Sequence, residues 1–216
     1  MRNSFVWASA LGLTLGLTSC KKEPPVQYRL SAEQLAWQGY RTGEELRFGH
    51  QKDARVRTYR VTEVRDQMDS QYTGINFTPF PTKEPPLYQQ IVVWAQRTDS
   101  VFSAHPILEL SLNFDPISGP QPVLRAEAEW ETFYYARLPI NEVNAGAPID
   151  TLQYAARLLP SATFGPVTYA QVIRADNRGS GGAGLASRAT RRLYFVRGKG
   201  VVAFEEPGND LWYRLP

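Results

Sequence analysis

Glu127, Glu129 and Glu131 alternate along one short stretch. In an extended chain their carboxylates fall on one face, about 7 Å apart in succession. Three carboxylates at that spacing could bind a cation or raise one another's pKa. The plainer reading is a solvated row paired with arginines of a neighbouring strand, such as Arg55, Arg57 or Arg60. His50 and His105 are the only histidines, and neither has a second His or a Cys at metal-ligand spacing. His105 precedes Pro106 at the start of an apolar run, and His50 follows Phe48 and Gly49. No G-x-S-x-G elbow is present, and a Ser-His-Asp triad assembled only in space leaves no local trace. Gly179 to Gly184 fits G-x-G-x-x-G formally. The segment after it, Leu185 to Thr190, is too short for the helix that a dinucleotide site requires, so it reads as an exposed loop. No catalytic residue, metal ligand or cofactor follows from these motifs.

Aromatics carry the other candidate chemistry. Trp94, Trp130, Tyr134, Tyr135, Trp212 and Tyr213 lie in strand-like runs. Aromatics at that spacing mostly fill cores. If a ligand site exists, this set is the candidate for it, lining the concave face of a curved sheet for a small hydrophobic or sugar ligand.

The elements that must position these residues are mostly strands. Leu108, Leu110, Leu112 and Phe114 alternate with Glu109, Ser111 and Asn113, the period of two that a half-buried strand needs. The run from Leu124 to Tyr135 repeats it, with Leu124, Ala126, Ala128 and Trp130 inward and the three glutamates outward. Further strand candidates are Val56–Val64, Gln71–Phe77, Tyr88–Ala95, Tyr169–Ile173, Arg191–Val196, Val201–Phe204 and Leu211–Leu215. Pro and Gly pairs punctuate the gaps, as at Pro85 and Pro86 or Pro207 and Gly208. One short helix is expected near the start, capped by Ser31, with Leu30, Leu35, Trp37 and Tyr40 plugging an end of the core. The sum predicts a mainly β fold with this one N-terminal helix. Its antiparallel sheet would be a sandwich, an open barrel or a strongly curved sheet.

Composition agrees. The chain has 216 residues, 43% hydrophobic and 21% charged, enough to bury a substantial core in one domain. The formal charge of +3 has no Lys/Arg cluster behind it, which gives no reason to expect nucleic acid as a partner. The single cysteine allows no intrachain disulfide.

That cysteine is Cys20. Arg2 gives the chain a positive start. The stretch from Phe5 to Leu17 is uncharged but shorter than the ~20 residues a relaxed membrane-spanning helix needs. It ends in Leu17-Thr18-Ser19-Cys20, which resembles the lipobox of bacterial lipoproteins. The resemblance implies a cleaved signal peptide over residues 1–19 and acyl chains on Cys20. One acyl chain binds membranes marginally, and two or three hold almost permanently at ~0.8 kcal/mol per buried methylene. Residues 20–27, with Lys21, Lys22, Glu23, Pro24 and Pro25, then read as an extended tether. Residues 28–216 form one β-rich domain.

The C-terminal end carries a second resemblance. Phe164 to Val172, then Leu193 to Glu205, then Leu211 to Leu215, are similar to the closing segments of Bacteroidota-type lipoproteins of unassigned activity. The similarity implies a β-rich envelope lipoprotein and transfers no catalytic residue. Independently of it, Gly198 and Gly200 mark a tight turn or bulge and Pro207 to Asp210 the next turn, giving a three-stranded closing meander. Asp99-Ser100-Val101 and Asp150-Thr151-Leu152 resemble the O-glycosylation signal of the same bacteria.

The expectation is therefore a lipid-anchored cell-envelope protein, placed at the outer membrane, acting as a binding or interaction module. Its partners would be the membrane, through the N-terminal lipid, and a small hydrophobic or sugar ligand or an envelope protein. The rivals are an envelope hydrolase, which needs a histidine or two carboxylates converging in a cleft, and a structural part of an outer-membrane complex, which needs a flat apolar patch.

Overall fold

The computed structural model describes residues 24–70, 84–100, 103–114, 121–131, 133–177 and 190–216, and of 133–135 the backbone alone. The leader, Cys20, the strand candidate at Gln71–Phe77 and the Gly-rich loop lie outside the described residues.

Twelve strands form one sheet: β1 (Gln27–Tyr28), β2 (Glu45–His50), β3 (Val56–Ser70), β4 (Leu87–Arg97), β5 (His105–Asn113), β6 (Val123–Trp130), β7 (Phe133–Arg137), β8 (Ala156–Phe164), β9 (Val167–Asp176), β10 (Arg192–Val196), β11 (Gly200–Glu206) and β12 (Asp210–Arg214). The spatial order is β7-β6-β5-β4-β3-β2-β12-β11-β10-β9-β8, and β1 joins β4 on the side. Every pair in that order is antiparallel; the β1–β4 pair alone is parallel. From β2 to β7 and from β8 to β12 each strand lies beside the next in sequence, and β12 returns to lie beside β2. That return rolls the sheet up, so the fold is a nearly closed, barrel-like antiparallel sheet.

Alternation fixes the two faces. Leu108, Leu110 and Leu112 are buried inward, as are Ala126, Ala128 and Trp130 on the next strand. Leu46, Phe48, Tyr59, Val61, Phe204 and Trp212 complete the interior. The ladder is broken at the open seam between β7 and β8. There α2 (Ile140–Ala145) and α3 (Thr151–Tyr154) run from one strand to the other, tied by Tyr154 Oη donating to Glu142 at 2.7 Å. Neither helix was expected from the sequence. α2 buries only Ile140, too little for a periodic signal, and it stops at Gly146 with φ 62°.

The register separates two ends. At one, the Leu46 end of β2, α1 (Ala32–Leu35) and the residues after it close the barrel. Ser31 caps α1 and Gln34 reciprocates, forming a capping box. Trp37, 1% exposed, stacks on Phe195 at 6.2 Å and donates Nε1–H to Asn144 at 3.0 Å. Tyr40 lies against Gly200, whose hypothetical Cβ would fall 2.1 Å from the phenol, and its hydroxyl accepts from Val201 N–H at 2.7 Å. Leu30, Trp37 and Tyr40 thus plug this end, as the sequence predicts. At the other end, where β2 finishes in His50, the barrel closes with charged side chains.

A second, smaller core sits on the outer face, where Phe164, Val172, Tyr194, Val196, Val202 and Ala203 cluster. Leu159 and Val172 share one face of the β8–β9 hairpin, Ala162 and Tyr169 the other, yet all four reach this cluster. Gln171, with φ 51°, explains it: one left-handed residue opposite Pro160, which has no N–H for the ladder, turns the hairpin over.

Candidate functional site

The charged end is built by a turn that the alternation hides. Leu124 to Tyr135 is not one strand. β6 stops at Trp130, and Glu131, with φ 50°, begins the turn into β7. The left-handed residue takes its side chain out of the row of Glu127 and Glu129 and swings it onto the barrel mouth.

There Glu131 meets three donors. Tyr59 Oη donates to its Oε1, Arg97 Nη1 to the same oxygen at 3.1 Å, and Arg57 Nη1 to Oε2 at 3.2 Å. Arg57 also grips Glu206 with both terminal nitrogens, at 2.7 and 2.9 Å, and Trp212 Nε1 donates to Glu206 at 3.1 Å. The Arg57 guanidinium lies over the Trp212 ring at 4.0 Å. Arg97 pairs in turn with Asp99 at 2.5 and 3.1 Å. Arg57, Arg97 and Glu131 are each less than one-fifth exposed. Burial and the neighbouring Glu131 carboxylate push the Tyr59 phenol well above its ordinary range. The Arg97 guanidinium holds the Asp99 carboxyl below the usual carboxylate value. All four oxygens of Glu131 and Glu206 carry a donor, so this cluster ties four strands and the β6–β7 turn together.

Glu127 and Glu129 stay on the outer face. Glu127, 5% exposed, pairs with Arg125 at 2.8 Å and Arg137 at 3.8 Å. Burial raises the pKa of Glu129.

The two histidines sit apart in the fold. His50, 4% exposed, packs against Trp212 with the rings tilted by 45° and centroids 4.7 Å apart, and has Nδ1 2.9 Å from Asp53. His105 opens β5; burial lowers its pKa, partly offset by the Ser103 carbonyl and Glu131. Its Nε2 is buried with no partner among the described residues. No group of three or more His, Cys, Asp and Glu suited to a metal ion occurs among the described residues.

Trp94, Trp130, Trp212 and Tyr213, the candidates whose side chains are described, do not line one cleft. Trp130, 0% exposed, and Trp212, 2% exposed, are interior side chains, in contact through Phe204. Tyr213 packs against the outer cluster. Trp94 lies opposite Pro106 and Glu63, half-buried. The side chains of Tyr134 and Tyr135 lie outside the described residues.

Clefts open on the surface among the described residues, and the three that follow are not lined by these tryptophans. One of about 340 Å3 lies between the β8–β9 hairpin and the chain end, with Arg47, Tyr169, Lys199 and Arg214 on its walls. A second, of about 300 Å3, lies at the seam beside Thr151, Arg157 and Asp176. A third, of about 230 Å3, lies on the outer face of β3 to β6, around Gln90, Glu109 and Ser111. Sequence reasoning missed all three; the deep apolar pocket without clustered polar groups that a binding module leads us to expect is not among them, and charged or polar side chains line each. Their residues come from strands far apart in the chain, and the single legible sign is polar alternation on β5.

No family model, no curated protein and no solved structure matches the chain.

Proposed function

We propose that this chain is a cell-envelope lipoprotein of the Bacteroidota type. Acyl chains on Cys20 hold it at the outer membrane, and its β body works as a binding or interaction module. The observation that carries the second half is where the space lies. Leu46, Phe48, Tyr59, Trp130 and Phe204 are fully buried inside the barrel, while the clefts described above open outward. A sheet filled this way is a rigid scaffold, and recognition on it falls to surface groups. The first half rests on the uncharged leader ending at Leu17-Thr18-Ser19-Cys20.

On this reading β1 sets where the tether meets the body. β1 runs parallel to β4, and Leu87 N–H donates to Val26 O at 2.8 Å. The tether therefore leaves beside the start of β4. Arg97 at the charged mouth lies at the other end of that strand, ten residues on and so about 33 Å away at ~3.3 Å per residue. The mouth then points away from the bilayer.

The test is labelling of the expressed chain with radioactive palmitate, together with membrane fractionation of the parent and of Cys20→Ser. The parent is expected to carry label and sediment with membranes, and the variant to do neither. An unlabelled parent, or a variant that partitions with it, overturns the anchor.

A further inference from the structure

The outer face of β3 to β6 holds a row of polar side chains set by register. Gln67 stands opposite Gln90, Gln90 opposite Ser111, and Ser111 opposite Arg125. Gln67 Nε2 donates to Gln90 Oε1 at 2.9 Å, and Gln90 Nε2 donates to Glu109 Oε1 at 2.9 Å. Both amides are thereby oriented, and the second oxygen of Glu109 has no partner among the described residues. The 230 Å3 cleft lies over this row, with Asp69 and Tyr88 at its margin. Tyr88 is fixed as a wall by its stack on Tyr28, with centroids 5.3 Å apart.

Ser111 makes this more than a polar patch. It is 4% exposed, it lines the cleft, and its Oγ has no partner among the described residues. A buried hydroxyl left unpaired costs about 1–3 kcal/mol, and a bound molecule that supplies the missing hydrogen bond removes that cost.

The lining defines the occupant's chemistry. Asp69 and Glu109 accept, the second N–H of Gln90 donates, and Ser111 does either, while Arg125, already paired with Glu127 at 2.8 Å, brings its positive charge to the margin. An anion would face two carboxylates; a bare cation would face the guanidinium. Hydroxyl groups both donate and accept, so they satisfy every wall at once. The volume of about 230 Å3 corresponds to roughly eight waters at ~30 Å3 each, about the size of one sugar ring. We infer that the cleft over Gln90, Glu109, Ser111 and Arg125 is a binding site for a neutral, hydroxyl-rich ring such as a hexose. This inference deepens the binding-module reading and rests on it.

The experiment is saturation-transfer NMR on the full chain in a polyoxyethylene detergent, which carries no sugar headgroup. The probes are glucose, galactose and mannose, with calcium chloride and inorganic phosphate titrated separately. At least one hexose is expected to show ring-proton saturation. Glu109→Gln and Ser111→Ala should each weaken it about tenfold while leaving the far-ultraviolet circular dichroism unchanged. Saturation by no hexose, hexose binding untouched by both substitutions, or binding of calcium or phosphate alone each overturns the assignment. Palmitate labelling does not depend on this cleft, so the anchor and the hexose site fail separately.

Discussion

The two ends of the barrel are closed by different physics. At the Leu46 end, Trp37 and Tyr40 fill space against Phe195 and Gly200, and their polar atoms find single partners in Asn144 and Val201. At the His50 end, Arg57, Arg97, Glu131 and Glu206 close the mouth with charge-assisted hydrogen bonds over a Trp212 face. Packing is short-ranged, indifferent to salt and intolerant of missing volume. Ion pairs tolerate small displacements, weaken with salt and respond to protons. One end should therefore fail when atoms are removed, and the other when conditions change.

Trp37→Ala is the hardest blow to the plugged end. Removing a large buried aromatic costs about 3–5 kcal/mol, a sizeable part of an ordinary domain's stability. Urea unfolding should show that loss equally at low salt and at about 1 M NaCl. Equal loss at both salts is the signature of packing; a loss that salt halves would mean the plug is electrostatic.

Glu131→Gln probes the mouth while keeping its shape. Arg57 retains Glu206, so the expected loss is smaller, about 1–2 kcal/mol, in the range of one charge-assisted hydrogen bond. Here the difference between parent and variant should shrink in high salt. A salt-independent difference would erase the contrast between the ends.

Acidity is the gentlest test of the mouth. His105 has its pKa lowered by burial, so between that value and the unfolded value near ~6.5 the unfolded chain binds the extra proton. Its contribution is intact above about pH 6.5 and is lost as pH falls towards the folded value. Asp99, held below its ordinary value by Arg97, adds a second loss only below about pH 4. His105→Gln should flatten the slope of stability against pH in the upper window and leave the lower one in place. An unchanged upper slope would place that titration elsewhere.

The same contrast marks what the sequence made legible. Local patterns reached the strands whose faces differ in polarity. Leu108 to Phe114 and Leu124 to Trp130 lie as their alternation predicts, and the meander of β10, β11 and β12 turns at Gly198 and Pro207-Gly208. Ser31 caps α1 because a cap is a four-residue affair. Edge strand β8 was invisible because Pro160 interrupts it and most of its side chains face water. The mouth was half legible. Arg57 was a candidate partner for the glutamates, but the left-handed turn that brings Glu131 to it is not written in any residue type. The polar cleft was illegible for a different reason: Ser111 and Glu109 read as ordinary outward residues until three other strands are laid beside them.

The briefest strand has mechanical meaning. β1 is two residues long and lies alongside β4 in parallel, next to Leu87 and Tyr88. If acyl chains on Cys20 hold the protein, any drag from the bilayer travels down the tether and meets this pairing first. The load runs along the strand rather than across it, so the few backbone bonds and the Tyr28–Tyr88 stack share it in shear instead of opening one by one. The barrel behind them is spared the pull until that clasp lets go.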